Sequence, residues 1–176
     1  MSDPTLLPGY RFVTPEVLYS DRSFVTVGDA EIAMLKAIAA GTPRRRARIC
    51  CHPDPSAAQQ EMVIVMHASG YVRPHRHFGK TETFLVLDGA VDAVLFNEDG
   101  TVDEVCSMAA PGEGRPFFYR MPVGRFHGLI YRSEWLVFVE TTKGPFDLAD
   151  SEGAPWAPPE SEQAAGREFY KGLGLG

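Results

Sequence analysis

Thiols are scarce in this chain of 176 residues: only Cys50, Cys51 and Cys106 are present. An odd number with an adjacent pair makes no disulfide framework, because a bridge between sequence neighbours is strained, and no Cys-x2-Cys spacing offers a structural zinc site. Reduced thiols are expected. Long apolar runs are also missing. Nothing approaches the ~18 consecutive apolar residues of a spanning helix, and the first ten residues lack a basic start followed by an apolar core. The sequence therefore predicts a cytoplasmic protein with no membrane partner. Positive charge is in deficit too, with a formal net charge of −6. That balance argues against a nucleic-acid partner, since neutralising phosphates needs a basic face.

What is present is ordinary for one folded domain. Apolar residues at 44% and charged residues at 23% match globular averages, so wholesale disorder is not expected. The length suits one full β-barrel with extensions. The reading divides the chain into an N-terminal arm, helix and Arg-rich connection (1–59), a barrel core (60–149) and an irregular C-terminal tail (150–176), all within one domain.

Residues 1–27 are punctuated by proline, and their short apolar segments 10–13 and 24–27 suggest an arm adding an edge strand. From Asp29, a residue type that caps helices, Ile32, Leu35, Lys36 and Ala39 follow helical spacing until Gly41-Thr42-Pro43 stops the helix. Thereafter strand patterns dominate. The run 61–67 is apolar from Met62 to Met66, as in a strand buried on both faces, and further strands are expected at 83–87, 90–96, 102–108, 116–121, 127–131 and 135–141. Regular turns between about eight to ten strands are the signature of a barrel or sandwich.

Two segments carry the chemistry. In the first, Gly70 is followed by His75, His77, Glu82 and Gly89; in the second, Pro122-Val123-Gly124 precedes His127. If 71–77 is extended, side-chain alternation puts His75 and His77 on one face and turns Arg76 away, toward a salt bridge rather than a ligand. Phe78-Gly79-Lys80 then turns the chain so that Glu82 enters the next strand beside the imidazoles, and the Pro-Val-Gly turn delivers His127. Three neutral imidazoles and a carboxylate are good ligands for a first-row divalent ion. Four protein ligands leave about two positions open on a six-coordinate ion, which favours iron, manganese or nickel over zinc, though zinc is possible. His67, outside this pattern, reads as a structural histidine.

The pattern Gly-x4-His-x-His-x4-Glu-x6-Gly followed by Pro-x-Gly-x2-His resembles the paired motifs of the cupin superfamily. Tyr131 stands where that superfamily often has Asn, and Pro116 where it usually has Gly. The resemblance implies an all-β, jelly-roll β-barrel, here with one N-terminal helix and a peripheral tail, and it implies His75, His77, Glu82 and His127 as ligands of one divalent transition metal. A closer resemblance runs through Pro43-Arg44-Arg45-Arg46 with His52, Gln60, residues 71–77, Lys143-Gly144-Pro145-Phe146 and Trp156-Ala157-Pro158. Together these look like the WbuC family of cupin-fold metalloproteins. That family implies a bound metal and, for some members, an association with O-antigen or lipopolysaccharide sugar biosynthesis.

Candidate residues outside the ligand set follow. Arg44, Arg46 and His52 are substrate-binding candidates, since guanidinium groups suit phosphate or carboxylate, although a solvated Arg44, Arg45, Arg46, Arg48 connection is an equal alternative. Tyr119 and Tyr131 are catalytic candidates because their hydroxyls could donate to a substrate. The expected function is a metal-dependent enzyme acting on a small anionic or sugar-derived molecule, with two alternatives: an iron-dependent dioxygenase, or a non-catalytic metal-stabilised binding or regulatory module. Because cupins often cover exposed edge strands by pairing, a homodimer is expected.

Overall fold

Alternation of buried side chains sorts the strands of this protein into two facing sheets. The structure, a computed structural model, describes residues 6–175; residues 1–5 of the expected arm lie outside the described part. Strands β1 (Tyr10–Thr14) and β2 (Val17–Ser20) precede helix α1 (Asp29–Gly41). Then come β3 (Arg46–Cys50), β4 (Gln59–His67), β5 (His75–His77), β6 (Glu82–Asp88), β7 (Ala90–Phe96) and β8 (Val102–Ala109). They are followed by β9 (Phe118–Met121), β10 (Phe126–Tyr131), β11 (Trp135–Lys143), β12 (Ser151–Gly153) and helix α2 (Gln163–Gly172). One sheet has the order β1-β2-β3-β4-β11-β6-β9 and the other β12-β5-β10-β7-β8. All neighbours are antiparallel except β2 and β3. This is the all-β jelly-roll barrel that the sequence predicts.

The expected both-face burial of the 61–67 run is explained by a helix on one side and the barrel interior on the other. In β4, Met62, Ile64 and Met66 point between the sheets and pack with Phe84, Val86 and Phe138 from the same sheet and Val91, Ala93 and Met108 from the other. Val63 and Val65 point outward and join Ala47, Ile49 and Val137 beneath Leu35, Ile38 and Ala39 of α1. Each fully buried Val, Leu, Ile, Phe or Met among them contributes about 1.5–3 kcal/mol relative to exposure. The cap lies one residue before the expected Asp29, which is instead the first residue of the helix. Gly28 is the N-cap, and the Glu31 carboxylate accepts its backbone N–H at 3.0 Å.

Two expectations differ from the structure. Residues 24–27 form no strand, and Phe24 is exposed; the arm's second strand is β2, which runs parallel to β3 and buries Leu18 under α1. The segment 150–176 is not irregular throughout. It adds β12 to the edge of β5 and then α2, whose Phe169 and Tyr170, with Trp156, cover Phe96 and Phe126 on the outer face of β7 and β10. The Pro- and Glu-rich composition hides this because the apolar residues are widely spaced.

Close approach fixes two glycines. Gly89 turns β6 into β7 at φ +87°, and a Cβ there would lie 2.2 Å from the Trp135 carbonyl oxygen. In α2, a Cβ on Gly166 would meet the Tyr71 ring at 2.2 Å, so the missing side chain lets the helix seat against the barrel.

Candidate metal centre

The paired strands β5 and β10, with β6 opposite, bring the two sequence segments together. His127 pairs directly with His75 across β10 and β5, while Glu82 opens β6 in the opposite sheet. One ligand atom from each of His75, His77, Glu82 and His127 lies within 4.8 Å of all the others. His77 Nε2 is 3.3 Å and His127 Nε2 3.7 Å from Glu82 Oε2. The Glu82 and His127 side chains are each only 5% exposed.

The outer nitrogens are already committed. His75 Nδ1–H donates to the Arg73 carbonyl and His127 Nδ1–H to the Arg125 carbonyl, each at 3.0 Å, and His77 Nδ1 is hydrogen-bonded to Ser151 Oγ at 2.8 Å. Such partners fix the tautomer and aim the Nε2 lone pair inward. His127 Nε2 is buried with no hydrogen-bond partner. An orphaned buried nitrogen is costly, and a cation among these donors would satisfy it. The donor set and its geometry therefore fit one divalent transition-metal ion.

The electrostatics describe the same cluster with a proton in place of the ion. Burial, reinforced by His127, pushes His75 down to about 3, so this imidazole stays neutral. Burial would depress His127 as well, but contact with the Glu82 carboxylate outweighs it and raises His127 above its ordinary value. Burial disfavours the Glu82 carboxylate, yet His127 and His77 hold its pKa well below normal. The contact thus favours the anionic form of Glu82 and the protonated form of His127.

A cavity of about 610 Å³ opens on this cluster between the sheets. That volume is typical of a small-molecule site.

The two facing sheets with the His/Glu cluster between them form the fold that the sequence resemblance to the cupin superfamily implies. A family model described as a domain of unknown function (DUF6016) matches residues 27–108. Among solved structures, the oxalate decarboxylase of Lactobacillus farciminis is 16% identical, covering 55% of this chain and 26% of that one, with a TM-score of 0.44. The capsular polysaccharide assembling protein CapF of Staphylococcus aureus is 21% identical, covering 56% and 27%, at 0.45. A cupin 2 conserved barrel domain protein from Rhodopseudomonas palustris is 16% identical, covering 58% and 63%, at 0.45. The chain thus spans about a quarter of the length of the first two. No curated protein matches. At these identities the likeness says nothing of a reaction.

The other sequence candidates fare differently in this cavity. Tyr119 stacks on Phe84 at 4.9 Å and donates to Glu82 Oε1 at 2.8 Å, which places it on the cluster. Tyr131 is instead turned to Met66, donating to its Sδ at 3.1 Å. Arg44 and Arg46 line the cavity, but both pair with Glu16 and Glu160: Arg46 lies 2.9 Å from Glu160 and 3.5 Å from Glu16. The carboxylates that hold them sit at the β1–β2 turn and in the C-terminal segment, far off in sequence. His52 is 3% exposed and lines the same cavity, held by the Glu61 backbone at 3.0 Å. Arg76 points away and pairs with Glu98 and Glu152, and His67 bonds Ser69 Oγ at 2.7 Å.

Two cavity groups escape the sequence reading. Glu140 faces the cavity from β11, and burial, with Glu82 adding to it, pushes its carboxyl up to about 8. The signal was available: an acid stands in an otherwise apolar run, at the same parity as the inward Leu136 and Phe138. Ser151, which holds His77, has no such signal, because its role depends on β12 pairing with β5 from 74 residues away.

Proposed function

We propose that this protein is a metal-dependent cupin enzyme acting on a small anionic or sugar-derived molecule. His75, His77, Glu82 and His127 hold one divalent transition metal, with iron, manganese or nickel favoured. The observation that carries the reading is the convergence of four donor atoms within 4.8 Å on a cavity of about 610 Å³. A bound ion there would act as a Lewis acid toward an oxygen of the substrate or would activate water or dioxygen. The residues around it supply the rest: Tyr119 holds Glu82, Ser151 orients His77, and Glu140 faces the cavity as a group able to carry a proton near neutral pH. The sequence resemblance to the WbuC family supports a sugar-derived substrate, a cytoplasmic setting and a role in surface-polysaccharide synthesis. The exposed edge strand β9, with Phe118 52% exposed, supports a homodimer.

The test is a screen of anionic sugars and small acids against metal-loaded wild type and Glu82→Gln, with metal content and melting temperature measured on the same samples. Turnover by the wild type that disappears in the variant supports an enzyme. A metal-dependent melting temperature with no turnover of any substrate would instead favour a metal-stabilised binding module, and oxygen uptake by the iron-loaded form would select the dioxygenase.

A further inference from the structure

The Arg-rich strand β3 contributes three side chains of one parity, Arg46, Arg48 and Cys50, to the cavity wall, while Ala47 and Ile49 face α1. Arg46 is neutralised by Glu16 and Glu160, as is its neighbour Arg44. Arg48 has no such ion pair. Among the described residues no carboxylate lies within ion-pair distance of its guanidinium, although its charge reaches the Glu140 carboxyl across the cavity wall, and its Nε is buried with no hydrogen-bond partner. A guanidinium facing a cavity with a buried, unbonded N–H is an incomplete site. What completes it is an oxyanion, because the planar fork offers parallel N–H donors that match carboxylate or phosphate oxygens.

We propose that Arg48 is the anion-binding residue of the cavity, taking a carboxylate or phosphate group of the ligand at a position remote from the metal cluster.

The sheet register sets the size of that ligand. Arg48 lies in one row with Ile64, Phe138 and Val86, whereas Glu82 lies in the row of Thr142 and Gln60. The two rows are two pleats apart along the strands, roughly 13 Å, and β3 is three strand spacings from β6. An arginine side chain shortens that gap across a curved barrel but does not close it. A ligand touching both ends is therefore longer than a two- or three-carbon acid and closer to a hexose in length, with its negative charge at the end away from the ion. Arg44 and Arg46 form the bracing of this wall; Arg48 does the binding. Only the metal-facing end of the ligand rests on the proposed function.

Isothermal titration of glucuronate and inorganic phosphate, with glucose as the uncharged control, tests the assignment on the full chain. The wild type should bind at least one of the two anions and favour it over glucose; which anion is bound distinguishes carboxylate from phosphate. Arg48→Gln should weaken that binding about tenfold, the loss of a charge-assisted pair. Arg48→Lys, which keeps the charge but not the fork, should weaken it less and serves as the folded comparison if the Gln variant does not fold. Arg11→Gln, which removes an exposed charge paired with Asp21, should leave binding unchanged. Anion binding equal to wild type in the folded Arg48 variants, or no preference of the wild type for either anion over glucose, would overturn the proposal. Metal content measured on the same samples separates the two readings: Arg48-dependent anion binding by a protein that takes up no metal upholds the assignment while removing the metal centre.

Discussion

Tyr119 and Glu82 share a hydrogen bond of 2.8 Å in which the phenol donates to Oε1, leaving Oε2 as the carboxylate oxygen that faces His77 and His127. The phenol thereby selects which oxygen can serve a cation. Stacking of Tyr119 on Phe84, itself stacked on Phe138 at 4.2 Å, keeps it in place. Tyr119→Phe retains the stack and loses only the bond. Metal affinity should fall about ten- to hundredfold, the usual cost of losing a partner that orients a ligand, with the melting temperature of chelator-treated protein little changed. Competition against a chromophoric chelator measures it.

Metal uptake should release protons. Burial would lower His127, but contact with Glu82 raises it above its ordinary value, which favours a proton where an ion would bind. Apparent affinity should therefore rise with pH across neutrality and weaken as His127 is protonated on the acid side. Calorimetric titrations in two buffers of different ionisation enthalpy read the proton count directly, and enthalpies independent of buffer would contradict the assignment.

Glu140 should make metal-free protein less stable as pH rises. The folded state holds its proton up to about pH 8, whereas the unfolded chain releases it near 4.5, so the folded state binds more protons across that window. Stability is lost between those values as pH rises. Glu140→Gln should remove this component, so that the difference in urea midpoint between variant and wild type grows toward pH 8. Adding a divalent ion, whose charge favours the carboxylate, should shrink the difference.

The C-terminal helix should respond to a single methyl group. Gly166→Ala would place a Cβ against the Tyr71 ring, whose atoms already lie 2.2–2.3 Å from that position, and Tyr71 is 1% exposed with its hydroxyl donating to the Pro158 carbonyl at 2.8 Å. Overpacking of this kind costs about 1–3 kcal/mol. A lower urea midpoint with unchanged dependence on denaturant is expected, accompanied by weaker metal binding as β12 and Ser151 loosen around His77.

The sequence carries the barrel plainly, because strand alternation and turn residues are local signals. Helix α1 and most strand positions from β4 to β11 follow from them, as does the meeting of His75, His77, Glu82 and His127. What escapes is set by partners distant in the chain. The charges of Arg44 and Arg46 read as available until Glu16 and Glu160 fold onto them. The tail reads as irregular until β12 finds β5 and Gly166 finds Tyr71. Tyr131 carries a hydroxyl like that of Tyr119, and only the three-dimensional packing tells the one facing Met66 from the one facing Glu82.

The most direct measurement is elemental analysis with anomalous scattering on protein loaded with iron, manganese or nickel and freed of excess ion. The account predicts one ion per chain, centred among His75, His77, Glu82 and His127, and its loss in the double variant His77→Ala with His127→Ala. A metal-replete protein with no ion at that position, or the same occupancy in the double variant, would contradict it.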